Sequence, residues 1–375
     1  MHCGIATGFA NHAKVDDTRF VREELEYCVL AEELGFDSAW ITEHHFTDYS
    51  ISPNPLMYLA YLAGRTKRMR LGTQVIVVPW HDPVRLAEHI VLLDHVSNGR
   101  GIFGFGRGLA RLEYEGLRID QSQARERFDE IVGIVMRAME TGFIEGGDIF
   151  KQPRRELRPR PLRSLKGRAF CAAGSPGSMV AAAKLGLGRL YLNQPMVFDN
   201  RPKLAGPPAP AAPAKDPWLE TWRASHPDVA PPKPFMSNLV FIDDSPERAH
   251  ETARKYVGTT FRMAIAHYEL TSEHHGSIKG YEAYAQLRLT KDDIDKAVEG
   301  NVALAITGTP QQVLDKLARK KKEIDPQGLF PHFHTGGMPH EEAVRNMRRF
   351  AKDCLREVKS WPADSTIGEP LQAAA

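Results

Sequence analysis

Eight short, apolar, strand-like runs alternate with amphipathic helical stretches along this chain, and that alternation restricts the fold more than any other feature. The runs are His2–Phe9, Phe36–Thr42, Arg70–Val78, Gly101–Gly106, Ala169–Ala173, Arg189–Asn193, Phe235–Ile242 and Leu329–Phe333. Helical patterns lie at Asp17–Leu34, Pro55–Arg65, Asp82–Val96, Ala124–Thr141, Pro176–Leu185, Pro246–Tyr268 and His340–Val358. In the first helix Asp17 offers an N-cap, Val21, Leu25, Cys28 and Val29 share one face, and Gly35 is the stop. Thr309 opens a further helix, with Gln312 completing a capping box. Strands separated by helices pair in parallel, and eight of them favour a closed (β/α)8 barrel of the TIM type over an open sheet.

At 375 residues the chain suits one large barrel with insertions. We expect a single domain over residues 1–360 and a flexible C-terminal tail over 361–375. Insertions are expected near 144–168, 199–234 and 271–300. The first carries Gly-Gly and a basic Arg154–Arg163 stretch and reads as a hairpin. The second contains Pro-Pro-Ala-Pro-Ala-Ala-Pro, a stiff, extended connection. The third is where a lid would sit.

Composition excludes several roles. No apolar run approaches the roughly 18 residues that a membrane span needs, so no membrane is expected. No signal peptide is read at the N-terminus. Cys3, Cys28, Cys171 and Cys354 form no CxxC pair and read as buried thiols of a reducing, cytoplasmic setting. A net charge of +2 gives no general attraction to nucleic acid.

Four places could carry chemistry. Glu43-His44-His45-Phe46 follows the second run and so stands at the C-terminal face, where the loops of a barrel converge. It is either a surface loop with incidental histidines or a proton-handling site. Neighbouring side chains in extended backbone diverge, so only one imidazole is expected to face the pocket. No HExxH and no cysteine cluster accompanies them, and no metal is expected. Phe103-Gly-Phe-Gly-Arg107-Gly is either a tight turn or a place where backbone amides and a guanidinium meet a phosphate. Gly174-Ser175-Pro176-Gly-Ser178 opens a helix, whose free amides and serine hydroxyls can bind an anion, or is simply a capped helix. It imitates a hydrolase elbow, but Pro176 has no N–H for an oxyanion hole. His332 and His334 share a strand face and read as polar residues at a strand end, with pocket walls or metal ligands as the alternative.

Taken together, these blocks resemble the bacterial luciferase-like, flavin-dependent monooxygenases, of the luciferase α-subunit type. The matching stretches are Gly35-Phe-Asp-Ser-Ala-Trp-Ile-Thr-Glu-His-His-Phe-Thr, Leu71-Gly-Thr-Gln-Val-Ile-Val-Val-Pro, Pro83-Val-Arg-Leu-Ala-Glu, Leu93-Asp-His-Val-Ser-Asn-Gly-Arg, Phe103-Gly-Phe-Gly-Arg-Gly-Leu and Gly308-Thr-Pro. They keep the family's order; between about 195 and 300 the similarity is weak.

The resemblance implies a barrel that binds reduced flavin mononucleotide (FMN), supplied by a separate flavin reductase. With O2 it would form a flavin hydroperoxide and oxygenate a small, partly hydrophobic substrate. It puts the catalytic histidine on His44, with His45 in support, and the phosphate site on Arg107, Ser175 and Ser178. It also implies a non-proline cis peptide between Gln74 and Val75, beside the flavin, and a homodimer formed through helices next to the second and third strands. Two departures stand out. Gly106 occupies the place of the luciferases' reactive cysteine, so a non-luminous enzyme is expected, and Gly174 replaces an acidic residue beside the phosphate-site serine. A deazaflavin-dependent oxidoreductase of the same fold, or a flavin-binding subunit without catalysis, are the alternative readings. Phe9, Trp80, Phe105 and Phe330 are aromatic candidates for the mouth, or for the core.

Overall fold

The structure, a computed structural model, describes residues 1–192, 216–282, 284 and 288–369. Its strands, in chain order, are β1 (His2–Cys3), β2 (Ile5–Thr7), β3 (Ser38–Ile41), β4 (Arg70–Thr73), β5 (Ile76–Val77), β6 (Gly101–Gly106), β7 (Phe143–Ile144), β8 (Arg155–Glu156), β9 (Ala169–Cys171), β10 (Gly188–Leu192), β11 (Phe235–Ser237), β12 (Val240–Ile242), β13 (Ile306–Gly308) and β14 (Gly328–Leu329). The helices are α1 (Asp17–Glu33), α2 (Pro55–Arg65), α3 (Pro83–Ser97), α4 (Arg111–Gly116), α5 (Ala124–Thr141), α6 (Pro176–Lys184), α7 (Pro217–Ser225), α8 (Pro246–His267), α9 (Ile294–Leu304), α10 (Pro310–Ile324), α11 (His340–Asp353) and α12 (Leu355–Ser360).

Eight staves form a parallel ring in the order β1/β2, β3, β4/β5, β6, β9, β10, β11, β14, and β14 pairs back onto β1. This is the expected barrel. Its strands are buried on both faces, which is why they read as continuous apolar runs rather than alternating ones. The interior is filled: Trp40 stacks on Phe330 at 4.4 Å, with Phe170 and Phe235 beside them. Proline stands at the start of α2, α3, α6, α8 and α10, where a missing N–H costs nothing. The capping box of Thr309 and Gln312 is formed.

Several sequence expectations need correction. The cap of α1 is Asp16, whose carboxylate accepts from Arg19 N, and Asp17 is the first helical residue. The cis Gln74–Val75 peptide that the resemblance implies is present, and it interrupts the third run after Thr73. The seventh run is two strands: β11 stays in the ring, while β12 leaves it to pair with β13, a strand that local patterning did not reveal. The last run is strand only at Gly328–Leu329, and His332 makes isolated bridges to Ala6 and Leu239.

The insertions carry more order than their composition suggests. The hairpin of the first is present as β7 paired antiparallel to β8. The proline-rich run of the second lies outside the described residues, but α7 follows it and buries Trp218 and Trp222. The third contains α9. The expected tail is docked at least as far as Gly368: Ile367 enters the cluster of Trp40 and Phe330, and Gln327 Oε1 accepts from Thr366 N at 2.9 Å. Burial of Ile367 and the hydrogen bonds that hold Thr366 and Gly368 oppose the entropy that fraying would return.

Candidate functional site

A cavity of about 280 Å³ opens at the C-terminal ends of the strands, where barrel loops converge. It is lined by His44, Gln74, Val75, Arg107, Gly174 and Ser178 among others, so six of the eight residues singled out from the sequence meet there. His45 and Ser175 do not line it.

His44 stands just past β3, with its side chain half-buried. Its Nδ1 lies 3.1 Å from Glu113 Oε1 and its Nε2 lies 3.2 Å from the Tyr268 hydroxyl. Glu113 belongs to α4 and is fully buried. Burial alone would raise its pKa, but the charges and hydrogen bonds of His44 and His267 outweigh that and hold the carboxyl at about 2. An ionised carboxylate only accepts, so Nδ1 of His44 donates to Glu113 and Nε2 is the nitrogen left toward the Tyr268 hydroxyl. Glu113 Oε1 also accepts from His45 N at 2.7 Å, while Oε2 has no partner among the described residues. His267, at the end of α8, places Nε2 3.5 Å from Glu113 Oε1 and Nδ1 2.8 Å from Thr47 Oγ1. Burial lowers the pKa of His267, partly opposed by Glu113. His44, Glu113 and His267 offer three ligand-type atoms within 4.8 Å of one another, a cluster that no local pattern announces.

His45 turns the other way. Its Nε2 is 3.5 Å from Glu43 Oε1, and its ring meets Trp80 edge-on at 5.2 Å. The same Glu43 oxygen is 2.8 Å from His81 Nε2, and Glu43 Oε2 accepts from Val77 N at 2.6 Å. Burial pushes Glu43 up, yet His81, His45 and the Val77 amide bring its pKa down, and Glu43 in turn raises that of His81. Glu43 therefore fastens the strand resuming after the cis peptide to the loop that carries His44. Beside that peptide, a Cβ at Gly106 would collide with Val75 Cγ2, so a cysteine at 106 has no room while Val75 stays where it is.

The opposite corner is cationic. Ser175 caps α6 by accepting from Ser178 N at 3.3 Å, and its hydroxyl donates to Ser178 Oγ at 2.9 Å. Arg125 Nη2 donates to the same Ser178 oxygen at 2.7 Å. Arg107 lines the cavity with its guanidinium 4.0 Å from the centre of the Tyr281 ring. Tyr281 belongs to the 271–300 insertion and donates to Gly108 O at 2.9 Å, so that insertion rests on the Arg107 loop.

Of the four aromatic candidates only Trp80 lines the cavity; Phe9, Phe105 and Phe330 are core. His332 and His334 both line it. Glu113, Arg125, His267 and Tyr268 were not anticipated. One signal was legible: Arg125 stands in the first turn of α5, where a cation opposes the helix dipole, and such a residue usually answers to something outside its helix.

Residues 1–324 match the family model described as luciferase-like monooxygenase. The chain belongs to that family. A curated relative, the alkanal monooxygenase alpha chain of Photorhabdus luminescens, is 38% identical over 88% of this chain and 89% of its own. The oxygenase component of the flavin-dependent trigonelline monooxygenase of Acinetobacter baylyi is 32% identical over 44% of this luciferase-like chain and 46% of its own. Among solved structures, the oxygenating constituent of 3,6-diketocamphane monooxygenase from Pseudomonas putida, in complex with FMN, shares the fold at a TM-score of 0.67. It covers 97% of this chain and 99% of its own, at 15% identity. Among the described residues no helix is long and apolar enough to cross a membrane.

Proposed function

We propose that this chain is the oxygenase component of a two-component monooxygenase, using reduced FMN and O2 to oxygenate a small, partly hydrophobic substrate. One observation carries the reading: the His44–Glu113 couple and the Arg107–Ser178 corner open onto one cavity across the cis Gln74–Val75 peptide. The residues fit a phosphorylated flavin. Arg107, the Ser178 hydroxyl held by Arg125, and the Gly177 amide in the first turn of α6 suit a dianionic tail, and Gly174 adds backbone without an opposing charge. Ser175 acts behind Ser178 rather than on the phosphate.

A bound reduced flavin supplies the two electrons that let one oxygen atom of O2 enter the substrate while the other leaves as water. His44 takes and returns a proton at Nε2, the nitrogen that faces the cavity and the Tyr268 hydroxyl. Glu113 holds the ring and its tautomer through Nδ1. His45 steadies Glu43 and does not reach the substrate. Tyr281, packed over Arg107, lets the 271–300 segment keep water from the phosphate corner. A separate reductase as partner, and a cytoplasmic setting for the four buried free cysteines, follow from the same reading. Exposed Met57 and Tyr61 on α2 and Leu92 and Val96 on α3 favour a homodimer through those helices.

The test is binding and oxygen uptake with photoreduced FMN in the purified chain. Micromolar binding that is lost in Arg107→Ala, with oxygen consumed, supports the proposal. Binding of a reduced deazaflavin without oxygen consumption, and none of FMN, would replace it with hydride transfer.

A further inference from the structure

The cavity has a second polar pole. Strand order sets β6 and β9, which lead to Arg107 and Ser178, diametrically across the ring from β14 and β1/β2. Three side chains line the cavity on that far side. His332 follows β14, His12 follows β2, and Ser50 lies in the loop beyond β3. His332 Nε2, His12 Nδ1 and Ser50 Oγ are all buried, and none has a hydrogen-bond partner among the described residues. Ser50 and His332 are themselves only 1% and 8% exposed. A dry polar atom left unpaired is costly, so three of them on residues lining one cavity favour a guest that pairs with them. The wall beside them is apolar: Leu239, and Val257, Phe261 and Ala264 of α8.

We propose that this rim is a substrate subsite, in which His332, His12 and Ser50 hold an uncharged oxygen function, a carbonyl or hydroxyl, of an otherwise apolar molecule. It deepens the reading above, because it assigns the rim opposite the phosphate corner to the substrate. Charge decides the class of ligand. Burial lowers the pKa of His332 to about 4 and also depresses that of His12, so neither carries a positive charge at neutral pH. His334 lines the same side, but its charge is matched by Glu24 at 2.5 Å. Glu24 is itself occupied by His334 and Thr7. A carboxylate would find no free cation at the rim and an ammonium no free anion, whereas neutral imidazoles and a hydroxyl can each donate or accept.

The experiment titrates the flavin-free full chain with 2-naphthol, naphthalene and 2-naphthoate as probes, following their fluorescence. The wild type is expected to bind 2-naphthol about tenfold more tightly than naphthalene, the equivalent of one net hydrogen bond, and 2-naphthoate no more tightly than naphthalene. Ser50→Ala and His332→Leu should each weaken 2-naphthol about fivefold and leave naphthalene within twofold. Reduced FMN should bind both variants as it binds the wild type. Equal 2-naphthol affinity in wild type and both variants overturns the subsite. So does a loss of FMN affinity with 2-naphthol unchanged, which would give the pole to the cofactor. If the wild type bound no reduced FMN at all, the flavin reading would fall instead, and the naphthol comparison would still decide the pole.

Discussion

Two of the buried glutamates that hold a histidine, Glu24 and Glu113, line up as a comparison, because their couples are built differently. Glu24 on α1 meets His334 Nδ1 at 2.5 Å, its second oxygen accepts from Thr7, and His334 Nε2 is 2.8 Å from Met338 O. Nearly every polar atom of that couple is spoken for. Burial pushes Glu24 up and His334 down, but their mutual attraction wins, leaving Glu24 depressed and His334 raised. Glu113 and His44 are held more loosely: among the described residues Glu113 Oε2 is unpartnered, and His44 Nε2 meets the Tyr268 hydroxyl at 3.2 Å, where both residues line the cavity. The same chemical pair is thus a tie when every valence is closed, and suits the proton handling proposed above when one nitrogen is left toward a cavity.

The sharpest way to break this contrast is His44→Ala. Substrate oxygenation is expected to fall about a thousandfold, within the range of general acid–base catalysis, while the urea midpoint hardly moves. Full turnover in that variant would reduce His44 to a lining residue. Glu24→Ala should do the reverse. Leaving His334 buried without its carboxylate should cost about 3 kcal/mol in urea unfolding, and a loss below about 1 kcal/mol would show that this pair is no tie.

His332, an imidazole with no carboxylate, sharpens the comparison from a third side. Its folded pKa of about 4 lies below the ordinary 6.5, so the unfolded chain takes up a proton that the folded one refuses. Stability should therefore decline as pH drops from about 7 to about 5. His332→Leu should flatten that decline by about 2 kcal/mol. His334 has the opposite sign, because its raised pKa contributes stability that is present at low pH and lost as pH rises through the folded value. An unchanged slope in His332→Leu would count against its being held neutral. The smallest effect is Glu113→Gln, which keeps shape and removes charge. We expect kcat to fall about fivefold with KM steady, roughly one net charge-assisted hydrogen bond. A change confined to KM would assign Glu113 to binding instead.

Most of the first six staves was legible, because their strands are short, apolar and bounded by clear caps and glycines. So was the loop with His44, since strand ends point to the barrel mouth. The later part was harder to read. β12 and β13 are three-residue strands defined by each other, across 66 positions of register from Val240 to Ile306. The α4 helix that carries Glu113 has only six residues, too short for periodicity to show.

By itself the sequence determined the kind of chain this is: a parallel barrel, with an imidazole pair at one strand end and a serine-capped helix start at another. Those features rest on local preferences, which neighbouring residues set. Only the tertiary structure decided which imidazole faces the cavity, that Glu113 and His267 gather around it, and that His12, Ser50 and His332 share a rim. His267 meets Thr47 across 220 positions, and contacts of that span are fixed by how the ring closes and packs, not by any pattern along the chain.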